Sequence, residues 1–502
     1  MWICGHHAPR WLDHCTVLLP YLVYQYSARV LFESIPTTIK NTMSGADETN
    51  KPKRTIEDLF RQLAVESENE PEVSPAAPPK SMDEYKFWKT QPVQRFDEQD
   101  AKQDGPIDSS KTVADVRTEP YPLHVSFEWV LLDLESNEDL DQLHDLLRDH
   151  YVEDHDAVFR FAYSRDFFNW ALKPPGWKKE WHLGVRVKDT GRLVAFISGV
   201  PGDLSIREKD IRSVEINFLC VHKQLRSKRL APLLIKEITR RVNLHDIWQA
   251  LYTSGTVLPK PLSTCRYGHR PLNWGKLNEV GFSSIPIGET KASMIAKTAL
   301  SNETKTKGWR KMQEKDIDIV FKLYDTWRHR YQISQIMSKD EVAHWLYGGE
   351  KQDGKVIHTY VVEDAESGRV TDFVSFYVLP FSVLENAKHK ELGIAYLYYY
   401  ASETGLNKSI DDKESQQLVK KRLKSLVNDA MIEAKKIDID VFNALSSQDN
   451  TLFLEDLKFG PGDGFLNYYL FNYRAVPIDG GIDSKTSDFK EDQNSAVGVV
   501  ML

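Results

Sequence analysis

The chain has 502 residues, of which 41% are hydrophobic and 11% aromatic, so it is long enough to bury more than one ordinary core. Its formal net charge of −8 excludes a bulk basic field for nucleic acid. The 4 Cys residues show no paired spacing, so neither a disulfide framework nor a metal site is predicted, and a reducing cytoplasmic location is expected.

The first predicted segment, residues 1–80, has the composition of a disordered N-terminal extension. Its apolar run CTVLLPYLVYQYSARVLF contains a proline and an arginine and is shorter than a membrane span, so no transmembrane segment is predicted. Met43 opens the polar run MSGADETNKPKR and is a candidate for the natural start of the chain.

An internal repeat sets the predicted architecture of the rest. KDTGRLVAFISGV and EDAESGRVTDFVSFYVL are β-rich runs broken by a Gly-Arg turn, which predicts two hairpins. Gly191 lies 91 positions before Phe282, and Gly368 lies 91 positions before Phe459. Each phenylalanine is predicted to end a short helix that leads into a strand. Duplication explains this equal spacing better than chance does.

Each repeat is expected to run strand, helix, hairpin, long strand, long helix, strand, helix, strand. That order resembles the acyl-CoA-dependent N-acetyltransferase (GNAT) fold, a mixed α/β sheet flanked by helices. We therefore predict a mixed α/β protein of two fused GNAT-like halves with pseudo-twofold symmetry. The predicted boundaries are 81–284 for the N-terminal half, 285–307 for a polar linker and 308–502 for the C-terminal half.

The basic loop QLRSKRLAP carries the strongest chemical signal within the repeats. It joins a predicted buried strand, residues 214–222, to a predicted amphipathic helix, residues 230–242. Unpaired N–H groups at a helix start bind anions, and Arg226, Lys228 and Arg229 add the positive charge that CoA phosphates require. The alternative interpretation is an ordinary solvated basic turn.

Two segments resemble the signatures of the myristoyl-CoA:protein N-myristoyltransferases, namely EINFLCVHK for the first and KFGPGDG for the second. Six further segments are similar to that family in the same order: FWKTQPV, YVEDHDAVFRF, PPGW, YTSG, TCRYGHR and FLNYYLFNYR. The resemblance covers about residues 83–502. It implies that a monomer transfers myristate from myristoyl-CoA, used as a co-substrate, to the amine of an N-terminal glycine. No permanently bound cofactor is expected.

The resemblance also implies which residues bind and process myristoyl-CoA, and it places most of them in the N-terminal half. The binding residues are expected to be Tyr85, Lys86, Phe87, Trp88, Phe218, Leu219, Cys220, Val221, Arg226, Ser227, Lys228, Arg229, Leu230, Ala231 and Pro232. Backbone N–H groups freed by a bulge in NFLCV, those of Phe218 and Leu219, are expected to form the oxyanion hole. Cys220 is expected to be inert packing rather than an acyl carrier. A GNAT loop usually has glycine where Arg229 stands, whereas this family generally shares the basic version.

The peptide is expected to bind in the C-terminal half against aromatic and acidic side chains, which would favour basic residues downstream of the glycine. The implied residues are Tyr151, Asp154, Asp156, Phe161, Tyr163, Tyr267, His269, Asp463 and Leu502. Thr253 is expected to hydrogen-bond the incoming amine. Without the resemblance, EDHD would be interpreted as a solvated cluster and His269 as a satisfied polar residue.

The chain ends on SAVGVVML, in which five of the last six residues are apolar, after the polar run SKTSDFKEDQN. Chain ends are usually polar and mobile, so this end requires an explanation. One interpretation is a closing strand whose carboxylate reaches solvent. The other, favoured by the resemblance, is that the strand carries the Leu502 carboxylate into the active site as the catalytic base.

Two rival functions remain open from the residues alone. The first is a GNAT acyltransferase that uses a short acyl chain, and the second is a non-catalytic scaffold that binds acyl-CoA. The intact pair of signatures at both ends of the chain argues against each.

Overall fold

In the computed structural model of the chain, the described residues are 81–99, 101–152, 158–207, 209–348, 356–384, 386–406 and 413–502. The predicted disordered extension over residues 1–80, with Met43, lies outside them. Elements are numbered along these residues.

Strands account for most of the regular structure in the first part of the chain. They are β1 (Gly105–Pro106), β2 (Phe127–Leu131), β3 (Phe159–Phe161), β4 (His182–Val187), β5 (Leu193–Pro201), β6 (Leu204–Ile206), β7 (Lys209–Ile211), β8 (Ser213–Val221), β9 (Gln249–Ser254) and β10 (Ser263–Pro271). The strands of the second part are β11 (Trp309–Lys311), β12 (Ile333–Gln335), β13 (Ile357–Glu363), β14 (Val370–Val378), β15 (Phe381–Val383), β16 (Glu391–Leu392), β17 (Ile394–Ser402), β18 (Val441–Leu445), β19 (Gly460–Phe471) and β20 (Tyr473–Arg474).

The α-helices lie between these strands and cover the sheet. They are α1 (Asn137–His150), α2 (Arg165–Leu172), α3 (Leu230–Asn243), α4 (Trp274–Glu279), α5 (Lys291–Thr298), α6 (Ile317–Arg328), α7 (Lys339–Val342) and α8 (Lys413–Lys436). Helix α3 is amphipathic, because Leu234 and Ile238, about one turn apart, are both buried on the same face. None of the helices within the described ranges is long and apolar enough to cross a membrane.

A central sheet of 12 strands has the order β11-β13-β14-β17-β18-β10-β19-β9-β8-β5-β4-β2. When the order is followed inward from both edges, corresponding strands pair in the same directions: β17 is parallel to β18, as β8 is to β9, and the neighbouring pairs are antiparallel. The predicted mixed α/β fold of two GNAT-like halves with pseudo-twofold symmetry is confirmed.

The two halves are interlocked, which the sequence did not indicate. Strand β10 lies in the first part of the chain, yet it pairs with β18 and β19 from the second part. Strand β19 in turn pairs with β9. Two small sheets also join the parts, because β12 pairs with β6 and β15 pairs with β3. The core is therefore shared, and it includes buried Trp170 and Trp327 in one hydrophobic cluster.

The two predicted hairpins are confirmed, as β4–β5 and β13–β14. Their turns contain Gly191 at φ +69° and Gly368 at φ +66°, a conformation that favours glycine at both repeat positions. The predicted ends of the repeats are partly wrong. Phe282 follows α4 but no strand begins there in the described chain, and Phe459 follows a 3₁₀ turn (Asn450–Leu452) and further turns before β19. The two repeats differ because β10 comes before α4 and Phe282, whereas β19 comes after Phe459.

Candidate active site

The site forms where parallel strands β8 and β9 separate. The two strands pair only from Ser213 with Gln249 to Ile216 with Tyr252. Beyond this point β8 continues beside β5 alone, and we call the opening between the strands the fork. Thr253 is the next residue of β9 and therefore stands at the fork. A fork in a parallel pair leaves backbone groups of β8 available to a ligand.

A bulge in β8 lies at the fork, as predicted. Phe196 pairs with Cys220 whereas Ser198 pairs with Asn217, so β8 contains one extra residue, and Phe218 has φ +54°. The predicted free N–H of Phe218 is not free, because it donates to Asn217 Oδ1 at 2.9 Å. The side chain of Asn217 can turn back onto its neighbour's amide, which satisfies the group that the bulge exposes.

The amide of Leu219 lies in the same bulge. Regular pairing with β5 resumes beyond it, because Phe196 pairs with Cys220 and His222 N–H donates to the Val194 carbonyl of β5 at 2.9 Å. A bulge interrupts the alternation of strand amides, so the oxyanion-hole role of the Leu219 N–H stays a prediction.

The C-terminal tail (residues 495–502) enters the molecule between the two halves. Val497, Val499 and Met501 are buried at 0%, 1% and 3% exposure. Gly498 N–H donates to the Ile333 carbonyl at 2.7 Å, and Val500 N–H donates to the Tyr399 hydroxyl at 3.2 Å. The tail is held as an extended segment, with one isolated bridge to Ile333, rather than as a strand of the main sheet.

The tail ends at the fork. Asn217 Nδ2 donates to a carboxylate oxygen of Leu502 at 2.9 Å. The Tyr151 hydroxyl donates to Asn217 Oδ1 at 3.3 Å, so one amide joins the chain terminus, the bulge and Tyr151. Leu502 itself is half-buried, so the two sequence interpretations of the terminus both stay predictions. The structure brings Leu502, Phe218, Leu219 and Thr253 to one place.

The basic loop lies at the far end of β8. Residues 223–228 form a 3₁₀ turn, and Arg229, the residue before α3, has φ +59°, the left-handed region in which glycine is favoured. Arg226 Nη2 donates to the His150 carbonyl at 2.6 Å, which ties the loop to the end of α1. Leu230, Ala231 and Pro232 form the first turn of α3, with Ser227 and Lys228 just before it.

A histidine pair lies beside this loop. The rings of His150 and His222 are 3.9 Å apart between centroids. Burial lowers the pKa of His150 to about 4, and the neighbouring His222 adds to this effect. Burial also lowers the pKa of His222. Both rings are therefore neutral at physiological pH. The positive charge of this region comes from the arginine and lysine side chains.

The N-terminal segment YKFW packs on the opposite wall of the fork. The Tyr85 hydroxyl donates to the Val257 carbonyl at 3.1 Å, and Phe87 contacts Trp88 edge-on. Trp88 stacks on Tyr252 with centroids 5.5 Å apart, while Lys86 is exposed. The segment is thus placed against β9, immediately before Thr253.

Aromatic side chains cover the tail-facing side of the fork. Tyr163 lies 5.7 Å from Phe218 and 5.6 Å from Phe161, between ring centroids. Tyr151 lies 5.9 Å from Phe218. These predicted peptide residues are brought together, whereas Asp154 and Asp156 lie outside the described residues.

A small cleft of about 10 Å³ lies beside the end of the tail. Its lining includes Tyr267 and the last residues of the tail: Tyr267, Tyr377, Tyr396, Leu397, Asn443, Ala444, Leu445, Ser447, Val500 and Met501. His269 Nδ1 is 2.7 Å from Asn443 Oδ1, and burial lowers the pKa of His269 despite the opposing effects of Asn443 and of the nearby Asp463 carboxylate. Gly462 lies so close to His269 that a Cβ there would overlap the imidazole.

Cys220 is placed as the inert residue that the sequence predicted. Its side chain is 2% exposed, and burial raises the pKa of the thiol to about 12. A thiol with that pKa supplies almost no thiolate at neutral pH. Cys220 is therefore a poor candidate for a nucleophile or an acyl carrier.

Sequence reasoning missed Asn217, the residue that contacts the terminus, the bulge and Tyr151. The signal was present, because asparagine is depleted in strands and this one interrupts the buried run VEINFLCV. It also missed Tyr399 and Tyr468, whose hydroxyls hold the tail at Val500 N–H and at the Val499 carbonyl. Those contacts span about a hundred and about thirty positions, and no local pattern reports them.

Glu215 is a further unexpected group, two residues before Asn217. Burial raises the pKa of its carboxyl to about 7 from 4.5, partly offset by a hydrogen bond with Asn217. The unfolded chain ionises near pH 4.5 while the folded chain does not, so this group's contribution to stability is lost as the pH rises toward 7.

We expect Glu215→Gln to raise the free energy of unfolding at pH 8 relative to the native chain, by at most roughly 3 kcal/mol, and to have little effect at pH 4.5. Glutamine is neutral at both pH values, whereas Glu215 in the folded chain is neutral only at pH 4.5. Denaturant unfolding at the two pH values measures the difference, with exposed Glu128→Gln as the control. An equal shift at both values would show that Glu215 ionises normally.

Comparisons with known proteins identify relatives over most of the chain. Residues 106–265 match the family model described as myristoyl-CoA:protein N-myristoyltransferase, N-terminal domain, and residues 279–500 match that of the C-terminal domain. The glycylpeptide N-tetradecanoyltransferases of Candida albicans and Saccharomyces cerevisiae are both 54% identical to the chain, over 92% and 91% of it, and each is covered in full. The crystal structure of Saccharomyces cerevisiae N-myristoyltransferase with bound myristoyl-CoA aligns with a TM-score of 0.81 at 56% identity, over 83% of this chain and 99% of that one.

Proposed function

Because the chain belongs to the myristoyl-CoA:protein N-myristoyltransferase family, we propose that it transfers myristate from myristoyl-CoA to the amine of an N-terminal glycine, with the Leu502 carboxylate as the base. The observation that carries the mechanistic part is the contact between Leu502 and Asn217 at the fork. The proposal includes the monomeric state that the resemblance implies. The free, buried thiols of Cys220 and Cys265 support the reducing cytoplasm.

The first chemical requirement is a neutral amine. The α-ammonium of a peptide has a pKa of about 7.7–8.0, so most of it is protonated at neutral pH and cannot attack. The Leu502 carboxylate accepts that proton, directly or through one water. The buried residues Val499, Val500 and Met501 precede this carboxylate, and Asn217 Nδ2 holds it at the fork. Thr253 follows Tyr252 on β9, and its hydroxyl can form a hydrogen bond with the amine.

The second step is acyl transfer. The amine nitrogen forms a bond to the thioester carbon, whose oxygen becomes negative, and in this proposal the Leu219 N–H stabilises that charge. The Phe218 N–H joins it only when the side chain of Asn217 releases that amide. Collapse of the intermediate breaks the C–S bond, expels the CoA thiolate and leaves the amide product, while the second amine proton passes to water or to the departing thiolate.

Binding energy for the acyl group comes mainly from its chain. Burial of each methylene is worth roughly 0.8 kcal/mol, so a 14-carbon chain contributes far more than an acetyl group. Binding alone discriminates weakly between neighbouring chain lengths, by about 1 kcal/mol per methylene. Selection of myristate therefore depends on a slot of limited length in the N-terminal half. The phosphates of CoA would bind at the basic loop and at Lys86.

The proposal is tested by mass spectrometry of a glycine-leading peptide incubated with myristoyl-CoA. We expect a mass increase of one myristoyl group on the α-amine, and none on the same peptide with an acetylated amine. An excess of acetyl-CoA should not compete. Efficient acetyl transfer would instead identify a short-chain acyltransferase, and binding without transfer would identify a scaffold.

Peptide selectivity gives a further prediction. Charge reversal of Asp154 and Asp156 to lysine should weaken peptides with basic residues downstream of the glycine by roughly tenfold, and neutral peptides much less, because each lost ion pair is worth about 1 kcal/mol or less near the surface. The measured quantity is kcat/KM for a matched basic and neutral peptide. Equal losses for the two peptides would remove this acidic cluster from the recognition site.

A further inference from the structure

We propose that Asp449 is a positioning residue for the C-terminal carboxylate, acting through the buried side chains that fix the path of the tail. This inference rests on the proposed role of Leu502 as the base and adds the device that delivers it to the fork. Asp449 lies in the turn after β18, and its side chain is 0% exposed.

A polar cluster, which we call the tail anchor, surrounds this carboxylate. Arg330 Nη2 donates to Asp449 Oδ1 at 2.9 Å, and the Tyr331 hydroxyl donates to Asp449 Oδ2 at 2.6 Å. Trp327 Nε1 donates to the Tyr331 hydroxyl at 2.9 Å, and the Arg330 guanidinium lies 4.3 Å from the Trp327 ring centre. Both oxygens of the buried carboxylate are thus paired, as a charge in that position requires.

The anchor contacts the tail through Tyr331. The ring of Tyr331 lies directly against Gly498, so closely that a Cβ at Gly498 would overlap three of its atoms. Only a glycine leaves space for the ring, and the ring in turn limits where the tail can pass. The orientation of this ring is set by its hydroxyl, which is held between Asp449 and Trp327.

The backbone beside Asp449 holds the same stretch from the other side. Gln448 N–H donates to the Val497 carbonyl at 2.7 Å, and Ser495 N–H donates to the Gln448 carbonyl at 2.9 Å. Gln448 adopts φ +54°, a conformation that a non-glycine residue keeps only when its surroundings fix it. The Asp449 N–H donates to the Tyr400 hydroxyl at 3.0 Å, which fixes the turn.

These contacts lie four or more residues before Leu502, where a small displacement is carried along an extended chain to its end. A misplacement of about 1 Å at a reacting group can cost a hundredfold in rate. Asp449 touches no substrate, so its effect should appear in kcat through the position of the carboxylate, and acyl-CoA binding at the other wall of the fork should be spared.

The first test compares Asp449→Asn with the native chain in steady-state kinetics. We expect kcat to fall roughly 10- to 100-fold, with the KM for myristoyl-CoA within about twofold. The matched control is Asp372→Asn, which weakens the ion pair between another buried carboxylate, on β14, and Arg422 on α8. If Asp449→Asn does not fold, Tyr331→Phe keeps the ring against Gly498 but removes its hydrogen bond to Asp449, and a smaller fall in kcat is expected.

The second test measures the tail itself, by the rate at which a carboxypeptidase releases Leu502 and Met501 from the folded protein. Faster release in Asp449→Asn than in Asp372→Asn, together with the fall in kcat, supports the proposal. Unchanged release overturns it, whatever happens to kcat. Faster release with unchanged kcat overturns it too, and in that case the fault lies in the proposed function, because a displaced carboxylate would not matter to turnover.

Discussion

A chain extended by one residue beyond Leu502 should lose turnover by the 10²–10⁴-fold typical of a missing general base, while binding myristoyl-CoA as tightly as the native chain. The native carboxylate lies 2.9 Å from Asn217 Nδ2. The tail before it is buried from Val497 to Met501 and is held by hydrogen bonds at Gly498 and Val500. An added residue moves the charge by about 3.3 Å, the rise of one extended residue. Deletion of Leu502 moves it by the same amount in the opposite direction.

Single-turnover acyl transfer separates this effect from product release. Leu502→Ala is the matched control, because it trims the side chain and keeps the carboxylate at the same backbone position. We expect it to reduce the rate far less than the deletion does. Comparable rates for the extended, deleted and native chains would show that another group removes the proton.

Replacement of Arg226 and Arg229 by alanine should raise the KM for myristoyl-CoA by roughly 10- to 100-fold. Hydrogen bonds to a charged group contribute about 1.5–3 kcal/mol each, and we take the lower part of that range because the loop is exposed to solvent. The native KM should rise steeply with salt concentration, because salt screens the attraction between the arginines and the CoA phosphates. The KM of the variant should depend on salt much less, because those two charges are gone.

Lys420→Ala with Lys424→Ala is the charge-matched control for this variant. Both lysines lie on α8 and pair with Asp456, and their removal changes the net charge by the same amount. Arg229→Gly is a second useful comparison, since it removes the same charge as alanine but suits the φ of +59° at this position. A KM that stays at the native value in the double arginine variant would return the loop to an ordinary solvated turn.

The parts of the fold that the sequence predicts well are those whose signals are local. The hairpins at Gly191 and Gly368 follow from a turn residue between β-rich runs, and α3 follows from its apolar period. The bulge of β8 was expected at NFLCV and is present. Each depends on residues within about ten positions of one another.

The parts that it does not predict depend on distant contacts. Nothing in Ser263–Pro271 indicates that this strand crosses to the other half to pair with β18, because an edge of either half would satisfy the same backbone groups. The contact of Asn217 with Leu502 joins residues 285 positions apart. Phe218 and Arg229 adopt positive φ values that residue preference alone argues against.

The most direct test of the central claim is to replace the Leu502 carboxylate by a carboxamide through semisynthesis, which keeps the length and shape of the tail and removes its charge. Single-turnover transfer of myristate to a glycine peptide is then compared with the native chain across pH 6–9. The carboxylate account predicts a rate at least about 10²-fold lower for the carboxamide at neutral pH, with the loss shrinking as the amine deprotonates by itself above its pKa of about 8. A carboxamide protein that transfers myristate at the native rate throughout this range would contradict it.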